Sequence, residues 1–227
     1  MTRRPLGGDP PLASRAVRRP SVEERRNEIL EVTCQVVIER GFGSTRIGDV
    51  AAKLGVSTGL IHYHFESKDQ LLTEAFQWAA AADLARLHAE VDRGATAVER
   101  IERVIRLYGH IEAEPGWMLW IDGWGEALRS PALQHISQEL DLQWQKVIAG
   151  IVRDGVAAGE FRCPDPEATA WRLTALLDGL GLQVTVHEGL LTRRQLLDYV
   201  RTAAARELGV PESAFERAAK RVARDVA

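Results

Sequence analysis

The chain has 227 residues and a formal net charge of -3, a length that allows one large domain or two unequal domains with a sizeable core. No apolar run is long enough to cross a membrane, and residues 1–20 lack the apolar centre of a signal peptide. We therefore expect a cytoplasmic protein rather than a membrane-spanning one. Its two cysteines, Cys34 and Cys163, are expected to be small buried residues in a reducing compartment.

Charge is unevenly distributed along the chain. Residues 1–68 hold 11 Lys and Arg against 8 Asp and Glu, whereas the remaining residues hold 18 against 24. This asymmetry favours an anionic partner reached through one end, although a solvated arm with a few arginines is the simpler explanation of the charge alone. Residues 1–20 combine Pro, Gly and Arg without periodicity, which predicts a disordered basic arm.

Helix start signals recur along the chain after residue 20. Four Ser or Thr residues are followed three positions later by Glu or Gln, and two further caps precede a proline, at Ser21, Ser67, Thr96, Thr192, Ser130 and Asp165. Between these signals the apolar residues repeat at three and four, without sustained alternation. The sequence therefore predicts an all-α protein of about nine helices, whose last segment, from Pro211, is either a short tenth helix or a frayed end.

Residues 47–65 predict two short helices separated by a tight turn. The segment "IGDVAAKL" forms the first helix, "GVS" the turn, and Ser57 caps the second helix, "TGLIHYHF". This arrangement is a helix-turn-helix unit, whose second helix enters the major groove of DNA. The outward residues of the second helix and its cap are suited to contact phosphates and base edges, namely Ser57, Thr58, Gly59, His62, Tyr63 and His64. Lys68, at the start of the next helix, could hold another phosphate.

This segment has two other interpretations. His62 and His64 could ligate a metal, but residues two apart on a helix point to different faces, and no third ligand is nearby. The segment could also be a plain turn between packing helices, which explains any single residue better than the whole arrangement. We therefore expect no metal site and favour the DNA-binding interpretation.

The stretch from residue 26 to 72, centred on "GFGSTRIGDVAAKLGVSTGLIHYHFESKDQLL", resembles the DNA-binding domain of the TetR family of bacterial transcriptional regulators. The segment from "GWGEALRS" to "GLGLQ" resembles the BetI-type C-terminal domain of that family. The resemblance implies DNA contacts at the residues named above. Where many relatives have a hydroxyl residue, this chain has Arg46, and the hydroxyl stands one place earlier at Thr45, so both are added as candidate contacts.

The resemblance also implies a division of the chain into three parts. Residues 1–20 are the arm, residues 21–66 the helix-turn-helix domain, and residues 67–227 an effector-binding and dimerisation domain. In relatives the last two helices pair with their copies in a homodimer. The implied interface residues here are Leu177, Leu180, Gly181, Val184, Leu196, Leu197 and Val200.

A tryptophan stripe marks a candidate ligand site in the C-terminal part. Trp117, Trp120 and Trp124 lie three and four apart and therefore line one helical face. Core packing is the simpler explanation for any one of them, but three on one face favour a lined cavity. Further candidate lining residues are Tyr108, His110, Met118, Ile121 and Asp178. The effector is then a hydrophobic or aromatic molecule, or a quaternary ammonium group held by cation–π attraction.

Together these features predict a homodimeric, ligand-responsive transcriptional regulator that needs no cofactor. The simplest form is a repressor released from a palindromic operator by a small molecule, since two recognition helices about one turn of DNA apart read a palindrome. Two alternatives remain open. One is an architectural DNA-binding protein without an effector; the other is a helical enzyme, although no catalytic set of residues is recognisable.

Overall fold

The computed structural model describes residues 20–109, 116–187 and 189–225, and these ranges form ten α-helices and no strand. The all-α prediction is confirmed, and the last segment is a packed helix, with Phe215 and Val222 buried. The predicted arm, residues 1–20, lies outside the described residues except for Pro20. The helices are α1 Val22–Arg40, α2 Ile47–Leu54, α3 Thr58–His64, α4 Lys68–Asp92, α5 Ala97–Tyr108, α6 Gly116–Ala127, α7 Pro131–Ala157, α8 Pro166–Val186, α9 Arg193–Leu208 and α10 Glu212–Arg224.

The predicted caps begin these helices, in two forms. At Ser21 and Thr192 both halves of the capping box are present. At Ser67 only one half is present, because its side chain accepts from the backbone N–H of Gln70. The Gln70 Oε1 instead accepts from the backbone N–H of Glu66, at 2.7 Å, one residue before the cap. Each form satisfies otherwise unpaired N–H groups at the start of the helix.

Two hydrophobic clusters form the core. The first joins α1, α2 and α3 to the first half of α4, and it includes Leu119 of α6 and Leu133 and Leu140 of α7. The second is built from the end of α4 and from α5, α7, α8, α9 and α10. Helices α4, α6 and α7 therefore connect the N-terminal helices to the larger C-terminal body. No helix in the described ranges has both the length and the apolar character that crossing a bilayer requires.

The residues proposed for the dimer interface on α8 and α9 face the protomer's own core. Three are buried in the second cluster, namely Leu177, Leu196 and Val200, so the prediction that they contact a partner chain is wrong. Gly181 is also buried, beside the Trp117 ring, and the prediction is wrong for it too. The other three, Leu180, Val184 and Leu197, are half-buried and pack against the same cluster. The apolar stripe of each helix packs inside the protomer. The large apolar side chains that these helices expose are Trp171, Leu182, Val186 and Tyr199.

Candidate DNA-binding surface and ligand cavity

A short turn positions α3 across α2. Gly55 ends α2 in the left-handed conformation, with φ +72°, which a residue without Cβ adopts without steric cost. Ser57 then caps α3 by accepting from the backbone N–H of Leu60 at 3.3 Å. The buried side chains of Ile61 and Phe65 anchor α3 against the first core cluster. The opposite face of α3 is left exposed.

The predicted DNA contacts on α3 lie on this exposed face. Ser57, Thr58, Gly59 and His62 are exposed, and Tyr63 is 73% exposed. At the start of α2, Arg46 is also exposed. Lys68 is half-buried at the start of α4, where its Nζ donates to the Gly43 carbonyl at 3.2 Å.

Thr45 is not available to DNA, so that prediction is wrong. Its side chain is buried, and its hydroxyl donates to the Gly41 carbonyl at 2.8 Å. His64 is only half-buried, and its ring lies edge-on to that of Tyr63 at 5.1 Å between centroids. Burial, followed by the positive charge of Arg26, lowers the pKa of His64, which favours the neutral imidazole in the free chain.

Arg26 fixes the end of the recognition helix, a role that sequence analysis missed. Its guanidinium donates to the His64 carbonyl at 2.6 Å, pairs with Glu74 of α4, and lies 4.3 Å from the Phe65 ring centroid. One side chain of α1 thus ties the C-terminal end of α3 to α4. Its partners are 38 to 48 residues away, so no local pattern could have indicated it.

A cavity lined by aromatic rings lies in the C-terminal body. Helix α6 contributes Trp117, Trp120 and Trp124, whereas Tyr108 comes from α5 and Trp144 from α7. The rings meet mostly edge to face, with centroids 5.2 Å apart for Tyr108 and Trp144 and 6.2 Å apart for Trp117 and Trp124. The cavity offers about 80 Å³ to the centre of a water molecule. One water needs about 10–15 Å³ on that measure, so the space admits a small organic ligand.

The charged groups that line this apolar cavity are two carboxylates and the Arg86 guanidinium, which pairs with Asp83 at 2.5 Å, so the charge left over is the negative one of Asp178. Asp178 of α8 lines it, and burial, reinforced by the nearby charge of Asp141, raises the pKa of Asp178 to about 7. Burial also raises the pKa of Asp141 on α7 to about 6, with a weaker opposing effect of the Trp124 indole. Asp83 of α4 lines the cavity as well, and its Oδ2 accepts from the Trp120 indole N–H at 2.8 Å.

One indole N–H group of the cavity wall has no partner. The Nε1 atom of Trp144 is buried and makes no hydrogen bond within the described residues, whereas the Trp124 indole interacts with the Asp141 carboxylate. A buried donor without an acceptor costs free energy, and a ligand oxygen could remove that cost.

The other ligand candidates lie elsewhere. The Met118 side chain is 50% exposed and does not line the cavity, so that prediction is wrong. Ile121 is half-buried and does not line the cavity either, although it lies within about 100° of each of the three tryptophans around α6, so that prediction is also wrong. His110 lies outside the described residues. Trp144 was missed because it belongs to another helix, 20 residues beyond Trp124, and joins the stripe only in the folded chain.

Comparison with known proteins identifies the family. Residues 29–75 match the family model for bacterial regulatory proteins of the tetR family, and residues 97–209 match that for the C-terminal domain of BetI-type transcriptional repressors. The chain belongs to the TetR family. The helix-turn-helix formed by α2 and α3 is therefore its DNA-binding element, and the aromatic rings of the cavity lie within the segment that matches the BetI-type C-terminal domain. TetR-family membership makes the chain a ligand-responsive transcriptional regulator.

Relatives of the chain include regulators with different ligands. A transcriptional regulator from Saccharomonospora viridis, solved in complex with choline, is 31% identical with a TM-score of 0.75, covering 80% of this chain and 96% of that one. BetI from Klebsiella pneumoniae is 26% identical, covering 71% of this chain and 83% of the relative. The repressor KstR2 from Mycobacterium tuberculosis is 26% identical, covering 63% and 72%. FadR from Bacillus subtilis, solved with stearoyl-CoA, is 18% identical with a TM-score of 0.66, and this likeness shows the TetR fold alone.

Within the described residues, no group of three or more His, Cys, Asp or Glu could hold a metal ion.

Proposed function

We propose that the chain is a homodimeric repressor released from a palindromic operator by a small quaternary ammonium compound. The aromatic cavity carries the choice of effector, because four indole rings and one phenol ring surround a space that Asp178 also lines. The face of an aromatic ring attracts a cation, most strongly in a desolvated site. A quaternary ammonium group has no N–H to satisfy, so ring faces and one carboxylate are sufficient partners for it.

The size and charge of the cavity favour this class over the alternatives. About 80 Å³ at water centres suits a trimethylammonium group with a short tail and leaves no room for a long acyl chain. An uncharged aromatic molecule would fill the apolar wall. It would leave Asp178 either protonated or buried without a counter-charge, which weakens binding near pH 7.

The Saccharomonospora viridis regulator supports the same class, since it was solved in complex with choline. Choline combines a trimethylammonium group with one hydroxyl. In this chain the ammonium group would face the rings and Asp178, while the hydroxyl oxygen would accept from the unpartnered indole N–H of Trp144. Choline is therefore the probe of first choice.

The effector class is tested by comparing choline with 3,3-dimethylbutan-1-ol, which has the same shape but a carbon in place of the ammonium nitrogen. We expect choline to bind at least about 30-fold more tightly, because a desolvated cation–π contact is worth about 2 kcal/mol. Isothermal titration calorimetry on the full chain measures both affinities. Equal affinities would mean that the cavity recognises shape and apolar area, and would overturn the quaternary ammonium proposal.

The dimer surface is proposed at the exposed stripe of α8 and the neighbouring face of α9. Trp171, Leu182 and Val186 of α8 are 50%, 36% and 52% exposed, and Tyr199 of α9 is 51% exposed. Gly179, between them, has open space beside it. A second copy is the partner that relatives of this family use, and it would remove this apolar area from water. Sedimentation of the full chain should give twice the 25.2 kDa chain mass, and a monomer at micromolar concentration would contradict the proposal.

DNA binding is expected to depend on Tyr63 and Lys68. The exposed Tyr63 hydroxyl and the Lys68 ammonium group are placed to donate to phosphates, so Tyr63→Phe and Lys68→Ala should each weaken binding to a selected palindromic duplex. The salt slope should fall by about one unit for Lys68→Ala, which removes one phosphate-neutralising charge. Fluorescence anisotropy over a range of salt concentrations measures both effects.

Lys146→Ala provides the matched control for the salt slope. Lys146 is an exposed lysine of α7, in the C-terminal body, and its removal should leave the slope unchanged. If Tyr63→Phe and Lys68→Ala bind as tightly as the wild-type chain, the surface assigned to DNA is wrong.

A further inference from the structure

Helix α6 carries a second set of contacts on the side away from the tryptophans. Asp122 lies between Trp120 and Trp124 in sequence, and two residues along a helix correspond to about 200° of rotation. Its carboxylate therefore points away from the cavity and reaches the turn between α1 and α2, where Oδ2 accepts from the backbone N–H of Phe42 at 2.7 Å. One helix thus contacts both the ligand cavity and the DNA-binding helices.

An aromatic chain parallels this hydrogen bond. The ring of Trp120, in the cavity wall, meets that of Phe76 of α4 at 5.2 Å between centroids, and Phe76 meets Phe42 at 6.0 Å. Gly123 allows this contact, because a Cβ there would lie 2.6 Å from the Phe76 ring. The packing leaves no gap between α6 and Phe76, so α6 cannot shift toward α4 without moving that ring.

The turn that receives these contacts determines where α2 begins. Gly41 has φ +83°, and its carbonyl accepts from both the backbone N–H and the hydroxyl of Thr45, just before α2. Phe42 is buried in the first core cluster beside α1 and α2. A displacement of Phe42 would therefore be passed to the start of α2, and from there to α3.

We propose that Asp122 is the positioning residue that couples the cavity to the DNA-binding helices. A ligand among the tryptophans biases the position of α6, and the Asp122 bond to Phe42 carries that bias to the turn before α2. This inference rests on the proposed function, since it requires that a quaternary ammonium ligand binds the cavity. It assigns a role to a residue that touches neither ligand nor DNA.

The test compares the affinity for choline of the free full chain with that of the chain bound to its selected palindromic duplex. The ratio of the two dissociation constants measures the coupling, and we expect about 5- to 150-fold for the wild-type chain. Asp122→Ala should bind choline in the free state within about 3-fold of the wild-type affinity and still bind DNA. Its ratio should fall to within about 2-fold of unity, because the link from α6 to Phe42 is lost.

Two further variants make the test specific. Asp122→Asn keeps an acceptor oxygen for the Phe42 N–H and should retain most of the coupling. Glu126→Ala, one turn further along α6, removes another carboxylate from the same helix and should retain all of it. If Asp122→Ala does not fold, Asp122→Leu replaces it, since leucine has the same branching at Cγ without an acceptor.

The outcomes separate this inference from the proposed function. Choline binding to the free chain, with full coupling kept in Asp122→Ala or Asp122→Leu, would overturn the inference and assign the coupling to α4 alone. An equal loss of coupling in Glu126→Ala would also overturn the inference, because the loss would not be specific to Asp122. Failure of the wild-type chain to bind choline, seen as unchanged tryptophan fluorescence, would sink both proposals.

Discussion

Replacing Trp124 by leucine should lower the affinity for choline about 30-fold, because leucine supplies apolar area without a ring face for the cation. Trp124 is the most informative of the α6 tryptophans. Trp120 bonds to Asp83 and packs on Phe76, so its loss would disturb the fold. Trp124 meets only the neighbouring rings of Trp117 and Trp120 among the described aromatic pairs, and its other interaction is with the Asp141 carboxylate. Calorimetry on the full chain measures the change.

The uncharged isostere of choline separates cation–π attraction from simple packing. For 3,3-dimethylbutan-1-ol, the loss caused by Trp124→Leu should be about 2- to 3-fold, since only apolar contact is removed. Trp124→Phe keeps a ring and should lie between wild type and Trp124→Leu for choline. An equal loss for choline and its isostere would mean that Trp124 acts by packing and that the cation is held elsewhere.

The affinity for choline should rise on the order of 100-fold from pH 5 to pH 8. The reason is that a carboxyl group is only about 1% ionised when the pH is two units below its pKa. The pKa of Asp178 is raised to about 7 and that of Asp141 to about 6, so both are mainly protonated at pH 5. The positive charge of choline favours the ionised forms of Asp178 and Asp141, so these carboxyl groups must lose their protons before choline binds tightly. Affinity therefore rises with pH until both groups are ionised in the free protein, then levels off.

The other ionisable groups near the cavity do not reverse this sign. Burial, with the charge of Asp178 next, raises the pKa of Tyr108 well above its ordinary value, so it stays neutral throughout the range. Asp83 and Arg86 also line the cavity, where they pair with each other at 2.5 Å. Choline carries a permanent positive charge, so it adds no pH dependence of its own. Asp178→Asn should weaken binding at pH 8 and leave only a shallow rise due to Asp141. A profile for the wild-type chain that is flat from pH 5.5 to 8 would show that neither carboxylate faces the ligand.

Local features of the sequence were sufficient to predict the helices and the DNA-binding element. Neighbouring residues determine where a helix starts and stops, as Ser57 does for α3 and Gly55 for α2, because the backbone groups that they satisfy lie within one turn. The outward face of α3 follows from which residues remain once Ile61 and Phe65 are buried. Thr45 was misassigned because it stands just before α2, where the sequence suggested a phosphate contact. Its hydroxyl instead donates to the Gly41 carbonyl, four residues earlier.

Features that depend on contacts between distant helices could not be predicted in this way. The stripe of Trp117, Trp120 and Trp124 indicated a cavity, but Trp144 of α7 completes the wall only after folding. Asp122 gave no local signal either, since its partner lies 80 residues away. On α8 and α9 the sequence contains two apolar faces, and periodicity alone did not distinguish the face that packs inside the protomer from the exposed one.

We propose that a quaternary ammonium ligand in the aromatic cavity releases this regulator from DNA. The most direct test titrates choline into the full chain bound to a fluorescently labelled palindromic duplex, selected from a random pool, while tryptophan emission and DNA anisotropy are recorded together. We expect emission to change and DNA to dissociate over the same choline concentrations, with no effect from 3,3-dimethylbutan-1-ol at equal concentration. Dissociation without any change in emission, or a change in emission with DNA still fully bound, would contradict the claim.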